Sequence, residues 1–115
     1  MSSLFQVFMF TFCIDFTCPA VMPTTSWAKS VPRHGDYLPK THHIRINKKH
    51  WKGLSLQLKR ELFYHELGHA IRLKHSPSGI MKPLTYETNK TGSNWGELLR
   101  EMQEFAGDRK NYQKY

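Results

Sequence analysis

The sequence has few cysteines, few acidic residues and no long apolar segment. Two cysteines among 115 residues are too few for a disulfide scaffold. No apolar stretch reaches the about 18–20 residues that a membrane-spanning helix requires. Internal repeats and low-complexity tracts are also absent. With 39% hydrophobic and 13% aromatic residues, the chain can bury one core, and its length predicts a single domain over residues 1–115.

Basic residues outnumber acidic ones by 17 to nine, and the net charge of +8 is concentrated in the middle of the chain. Residues 29–75 hold eleven bases and three acids. A basic segment of this kind can attract nucleic acid, an anionic surface or acidic peptides. Because no nucleic-acid-binding motif with interleaved aromatics accompanies it, we expect these charges to keep a small domain soluble and do not expect nucleic acid as a partner.

The N-terminal segment, residues 4–14, reads LFQVFMFTFCI and is the most apolar part of the chain. Its alternating apolar residues, which continue to Phe16, predict a strand with one buried face. The length also suits the core of a signal peptide, but a basic n-region is missing and Asp15 follows at once. Secretion is therefore an open alternative, and the localisation stays unknown.

The rest of the chain divides into elements by its breakers and its apolar periodicity. Cys13 and Cys18 can form a bridge without requiring one. Residues 1–40 give no firm assignment beyond the N-terminal segment. The predicted elements are a loop over 17–41, a strand over 41–47 with Ile44 and Ile46 buried, a helix over 54–71 capped by Ser55, a last helix over 94–105 and a flexible tail over 107–115.

The segment His65–His75, HELGHAIRLKH, carries the candidate chemistry. His65 and His69 are four residues apart, so on a helix they lie one turn apart on one face and can bind one metal ion. Glu66 lies about 100° around the helix from His65. There it can reach a water on the metal and act as a general base rather than as a ligand.

A catalytic zinc ion takes three protein ligands and leaves one position open. His75 is the candidate for the third ligand. If the helix continued, His75 would lie about 9 Å beyond His69 along the axis and about 240° around it, out of reach of the same ion. The metal hypothesis therefore predicts that the helix ends and the chain reverses sharply between residues 71 and 74.

This segment resembles the metzincin signature, in which H-E-x-x-H-x-x-G-x-x-H is followed by a Met-turn. The resemblance covers residues 41–83 and extends to the matrixin-like turn SGIMKP and to short metzincin-like proteins of viruses and bacteria. It implies a reduced α+β zincin domain with a small mixed sheet, an active-site helix and a C-terminal helix. It also implies a role for five residues: His65, His69 and His75 as zinc ligands, Glu66 as general base and acid, and Met81 as the methionine under the metal.

The family's edge strand, which pairs with an extended peptide substrate, is expected at residues 43–47. We therefore expect Ile44, Arg45 and Ile46 to bind substrate. One departure from the family is Arg72, which stands where glycine is usual. A side chain there costs about 1–2 kcal/mol because φ is positive, and zinc binding can offset that cost.

The predicted function is that of a monomeric zinc endopeptidase with a peptide or protein substrate, one catalytic zinc ion and no membrane span. Two alternatives remain. In a gluzincin-like arrangement the third ligand is a glutamate from a later helix, Glu97 or Glu101. In the other alternative the chain is a non-catalytic, basic, metal-stabilised module that binds nucleic acid or regulates a partner. A tyrosine two positions after Met81, a fifth ligand in some branches, is absent, which leaves only Tyr86 as a candidate.

Overall fold

The computed structural model describes residues 3–31, 34–83 and 94–114. It is an α+β fold with a small mixed sheet, a long helix that carries the histidine motif and a C-terminal helix, as predicted. No helix within the described ranges is long and apolar enough to cross a membrane. In chain order the elements are α1 (Ser3–Asp15), β1 (Thr24–Ala28), β2 (Gly35–Leu38), β3 (His43–Asn47), α2 (Lys48–Lys52), α3 (Leu56–Ala70), α4 (Trp95–Ala106) and a 3-10 helix (Arg109–Asn111).

β3 lies in the middle of the sheet, whose order is β1-β3-β2. It is parallel to β1 and antiparallel to β2. Ile44 and Ile46 are fully buried, while Arg45, on the opposite face, donates from Nε to Asp36 Oδ1 of β2 at 2.8 Å. The predicted strand and its buried face are confirmed.

The prediction that β3 is an edge strand is wrong, because neighbouring strands occupy both of its backbone edges. A substrate strand therefore cannot pair with it. This removes the reason for assigning substrate binding to Ile44, Arg45 and Ile46. In addition, the guanidinium of Arg45 is already paired with Asp36.

The N-terminal segment forms the helix α1, and the predicted strand is wrong. Phe5, Phe8 and Phe12 are fully buried at spacings of three and four residues, which is the period of a helix. Phe5 stacks on Phe63 of α3 with 4.8 Å between the ring centroids. Apolar residues also occupy the outer face, where Phe10 is 69% exposed. Because nearly every position is apolar, the pattern fits both periods, and packing against α3 favours the helix.

The predicted loop over residues 17–41 contains β1 and β2, which the sequence analysis missed. Both strands are short, with five and four residues, and their backbones pair with β3 rather than with each other. Cys13 and Cys18 form a disulfide bond that ties the end of α1 to the loop that follows it. Both strands depend on pairing with β3, and periodicity within four or five residues does not report that pairing.

The two predicted helices in the second half are confirmed within two residues of their bounds. α3 begins after Ser55, whose hydroxyl accepts the N–H of Leu58 at 3.2 Å. α4 begins after Asn94, whose side chain accepts the N–H of Gly96 at 2.7 Å. Each helix therefore starts at a side-chain cap that the sequence displays.

The segment after α4 makes defined contacts that its polar sequence did not predict. Tyr112 forms an antiparallel bridge with Leu73, and the Tyr112 hydroxyl donates to the Ala106 carbonyl at 2.6 Å. Backbone hydrogen bonds of residues 111 and 113 hold the segment against residues 72 and 74. The polar side chains, which suggested fraying, give no sign of these backbone contacts.

Candidate metal centre

α3 brings His65 and His69 together as the four-residue spacing predicts. Their Nε2 atoms lie 3.2 Å apart. His65 is buried and His69 is half-buried, so the pair sits at the edge of the core rather than on an open surface. The core-facing residues of α3, including Phe63 and Leu67, fix the position of the helix.

After Ala70 the chain reverses through a Schellman motif. The Leu73 N–H donates to the Gly68 carbonyl and the Arg72 N–H donates to the His69 carbonyl, each at 2.9 Å. These are the two hydrogen bonds that define the motif. Arg72 has a φ of +77°, so a charged residue occupies the left-handed position that glycine usually takes. The predicted reversal between residues 71 and 74 is confirmed.

The reversal returns His75 to the helix. Its Nε2 lies 3.1 Å from the Nε2 of His69, and one nitrogen from each of the three histidines lies within 4.8 Å of the others. Across the described ranges, no other group of three or more potential metal ligands is found. The structure therefore brings together the three side chains that the sequence singled out.

Two backbone carbonyls set the tautomers of the helical histidines. The Nδ1 atom of His65 lies 2.6 Å from the Ile80 oxygen, and that of His69 lies 2.9 Å from the Leu73 oxygen. A carbonyl only accepts, so each Nδ1 carries the proton and each neutral ring presents a bare Nε2 lone pair. Burial lowers the pKa of His69, and the charge of His75 adds to the effect. Two such lone pairs repel each other unless a cation lies between them.

Two of the three nitrogen separations are close to those around a tetrahedral zinc ion. Zn–N bonds of about 2.0–2.1 Å in tetrahedral geometry place neighbouring ligand nitrogens about 3.3–3.4 Å apart. The observed separations are 3.2 Å for His65 and His69 and 3.1 Å for His69 and His75. Imidazole is a preferred zinc ligand, and a three-histidine set leaves one position open. The residues present can hold the ion.

Glu66 follows His65 on α3 and is 4% exposed. Burial raises the pKa of its carboxyl group to about 8, and the negative charge of Asp36 on β2 adds to the rise. A carboxylate whose proton affinity lies near neutral pH is suited to take up a proton and return it. The side chain predicted as the general base is therefore in an environment that supports proton transfer.

A turn over residues 76–82 carries Met81, which is 1% exposed. The Ser76 N–H donates to the Met81 carbonyl at 3.0 Å. A Cβ on Gly68 would lie 2.5 Å from the Met81 sulfur. The methionine thus packs directly on α3 at a glycine that lies between the two helical histidines in sequence.

The glutamates of the gluzincin-like alternative lie elsewhere. Glu101 accepts a hydrogen bond from the Ser78 hydroxyl, and its Oε1 would be 2.6 Å from a Cβ on Gly79. Neither Glu97 nor Glu101 belongs to the metal-binding group. Because His75 supplies the third nitrogen, the structure does not support a glutamate ligand. Tyr86 lies outside the described residues.

Sequence reasoning missed the groups that orient the ligands. The carbonyls of Leu73 and Ile80 hold two of the rings. Glu101 accepts a hydrogen bond from Ser78 and so holds the turn that carries Met81. Backbone carbonyls leave no side-chain signature. The available signal was Gly79, whose φ of +79° marks the tight turn just before Ile80.

Comparison with known proteins gives one match. A family model described as Peptidase M66 matches residues 52–112. The match spans 61 of the 115 residues and includes the three histidines, Glu66 and Met81. Neither the search of curated proteins nor the search of solved structures finds a match.

Proposed function

Because the chain belongs to the Peptidase M66 family, we propose that it is a zinc endopeptidase of the metzincin type, with Met81 in its Met-turn. The convergence of the three histidines carries this proposal. Two of their Nε2 lone pairs are fixed by backbone carbonyls, and two of the three nitrogen separations are close to those around zinc. Family membership supports the reaction class, since these residues lie inside the matched range.

His65, His69 and His75 would hold the ion through Nε2. When bound there, zinc supplies Lewis acidity, which acidifies a water and polarises the carbonyl of the scissile peptide. The protein supplies orientation. The carbonyls of Ile80 and Leu73 keep two rings turned toward the centre and increase their basicity as ligands.

Glu66 transfers the proton. As the water attacks the carbonyl, the Glu66 carboxylate accepts its proton and later delivers it to the departing amine. Burial supports this cycle because it raises the pKa of the group toward neutral pH. The carboxyl group thus serves first as a base and then as an acid.

We assign the substrate strand to β2 in place of β3. β2 forms one edge of the described sheet, and Gly35 on this strand lies close to Leu62 of α3. Asp36 is near enough to Glu66 to raise its pKa. An extended peptide added beside β2 would be bound through backbone groups with little dependence on sequence.

Cleavage of a denatured generic protein by zinc-loaded enzyme tests the proposal. Glu66→Gln should slow cleavage by about 10²–10⁴-fold while zinc content is unchanged, because only the proton acceptor is lost. Glu104→Gln, an exposed carboxylate on α4, makes the same charge change and should leave cleavage unaffected.

Equal activity of the Glu66→Gln and wild-type proteins would contradict the proposed mechanism. A wild-type protein that binds zinc and cleaves nothing would contradict the peptidase and favour the metal-stabilised binding module.

A further inference from the structure

Residues 111–113, here called the C-terminal strap, pair with the chain that leads from α3 to His75. Two backbone hydrogen bonds join the segments: the Lys74 N–H donates to the Asn111 carbonyl at 2.8 Å, and the Gln113 N–H donates to the Arg72 carbonyl at 2.6 Å. The pairing centres on the antiparallel bridge between Leu73 and Tyr112. The strap thus holds the chain between the second and third histidines.

Leu73, at the centre of this pairing, contacts the site directly. Its carbonyl fixes the His69 ring at 2.9 Å, and its N–H closes the Schellman motif on Gly68. His75 is only two residues further on. A shift of Leu73 would therefore move the orienting acceptor of one histidine and the backbone that carries another.

The strap is itself anchored to the end of α4. The Tyr112 hydroxyl donates to the Ala106 carbonyl at 2.6 Å, and the side-chain amide of Asn111 donates from Nδ2 to the Phe105 carbonyl at 2.9 Å. α4 in turn buries Leu98 in the core. A continuous set of contacts therefore runs from the core through α4 to Leu73.

His75 needs such support more than the other two histidines. It is exposed and lies on irregular chain after Lys74, whereas α3 orders His65 and His69. Ordering irregular backbone lowers its conformational entropy, which opposes ion binding. Contacts that order this backbone in the metal-free protein reduce the entropy that is lost when zinc binds.

We propose that the C-terminal strap is a positioning element of the zinc site, which fixes Leu73 so that His69 and His75 converge. The inference rests on the proposed function in one respect, since it takes the three histidines as zinc ligands. Tyr112 and Gln113 are positioning residues, which act on the site through the backbone of residues 72–74.

Gln113→Pro is the sharpest variant, because it removes the N–H donated to Arg72. Tyr112 has φ −107° and ψ 142°, which is the region favoured before proline, so Tyr112 can keep its conformation. Lys114→Pro is the matched control. Within the described part of the chain, the Lys114 amide makes no hydrogen bond.

The measurements are the zinc dissociation constant by competition with a chromophoric chelator, the visible spectrum of the cobalt(II) form and thermal unfolding of the metal-free protein. Gln113→Pro should weaken zinc binding about tenfold, as loss of groups that orient metal ligands commonly does. It should also alter the cobalt spectrum. Lys114→Pro should change neither. A lower unfolding temperature with unchanged zinc affinity and spectrum would show a purely structural role and overturn the inference.

Tyr112→Phe provides a second variant should Gln113→Pro not fold. It removes only the hydroxyl bonded to Ala106 and should weaken zinc binding about threefold, a smaller loss than that of a ligand-orienting group. Unchanged affinity here also overturns the inference. If the wild type itself has no zinc affinity, the proposed function fails. If the wild type binds zinc and both variants match it, only the strap inference fails.

Discussion

The candidate zinc site has two halves that are built differently. The helix half, His65, Glu66 and His69, lies on α3, whose core face and intrahelical hydrogen bonds fix its geometry. The turn half, His75 and Met81, lies on irregular chain. This chain is held by a Schellman motif, by the C-terminal strap and by the hydrogen bond from Ser78 to Glu101. Regular structure therefore supplies two candidate ligands at little extra ordering cost, whereas the third candidate requires contacts from distant parts of the chain.

Removing one ligand from each half tests whether they act on one ion. The free energy of zinc binding to structural sites in small domains is about 10–16 kcal/mol. Loss of one ligand in three should thus weaken the free energy of zinc binding by about 4 kcal/mol, which is about a thousandfold in affinity. His69→Ala and His75→Ala should both lose zinc to this degree in chelator competition, and His50→Ala, an exposed histidine of α2, should not. Full zinc binding by His75→Ala would show that the turn half is not part of the site.

The contact between the halves can be broken at Gly68. A Cβ there would lie 2.5 Å from the Met81 sulfur and 3.1 Å from the Met102 Cε. Both methionines are buried, so their side chains would have to shift within the packed core. Gly68→Ala should lower the free energy of unfolding by about 2 kcal/mol, as overpacking commonly does. Urea denaturation measures this loss.

Gly53→Ala is the control for that substitution. Gly53 has a φ of −85°, and the nearest atom to an added Cβ is 3.6 Å away. The alanine should change stability by less than about 1 kcal/mol and in the favourable direction. If both alanine variants lost the same free energy of unfolding, Met81 would not be in tight contact with α3.

Hydrogen exchange with and without zinc compares the order of the two halves directly. Because irregular chain opens locally more readily than a packed helix, zinc should slow exchange in residues 73–83 about tenfold, and in residues 61–68 by less than about twofold. Equal slowing in both segments would indicate that α3 also depends on the ion.

The smallest expected effect concerns the reversal at Arg72, whose φ is +77°. Arg72→Gly and Arg72→Ala both remove the side chain, but only glycine relieves the left-handed strain. The glycine variant should be the more stable by about 1 kcal/mol in thermal or urea unfolding. An alanine variant as stable as the glycine variant would mean that the turn carries no strain.

Local patterns in the sequence predicted the helix half and the direction of the turn. The four-residue spacing of His65 and His69 and the cap at Ser55 are properties of α3 alone. The reversal before His75 followed from helix geometry. These features needed no knowledge of distant residues, and the structure agrees with each of them.

The parts that were wrong depend on contacts between elements rather than on patterns within one element. α1 is apolar on all sides, so packing on Phe63 rather than periodicity decides its structure. β3 lies in the centre because β1 and β2 pair with it from segments that gave no strand signal. The strap is held by backbone groups of residues 72–74. None of these pairings leaves a mark in the local sequence.

Zinc K-edge X-ray absorption on protein loaded with one equivalent of zinc tests the central claim most directly. Convergence of His65, His69 and His75 predicts a four-coordinate ion with three imidazoles among nitrogen and oxygen ligands at about 2.0–2.1 Å. Replacing His75 by alanine should remove one imidazole from the signal. A spectrum with fewer than three imidazoles, or one that His75→Ala leaves unchanged, would contradict the account.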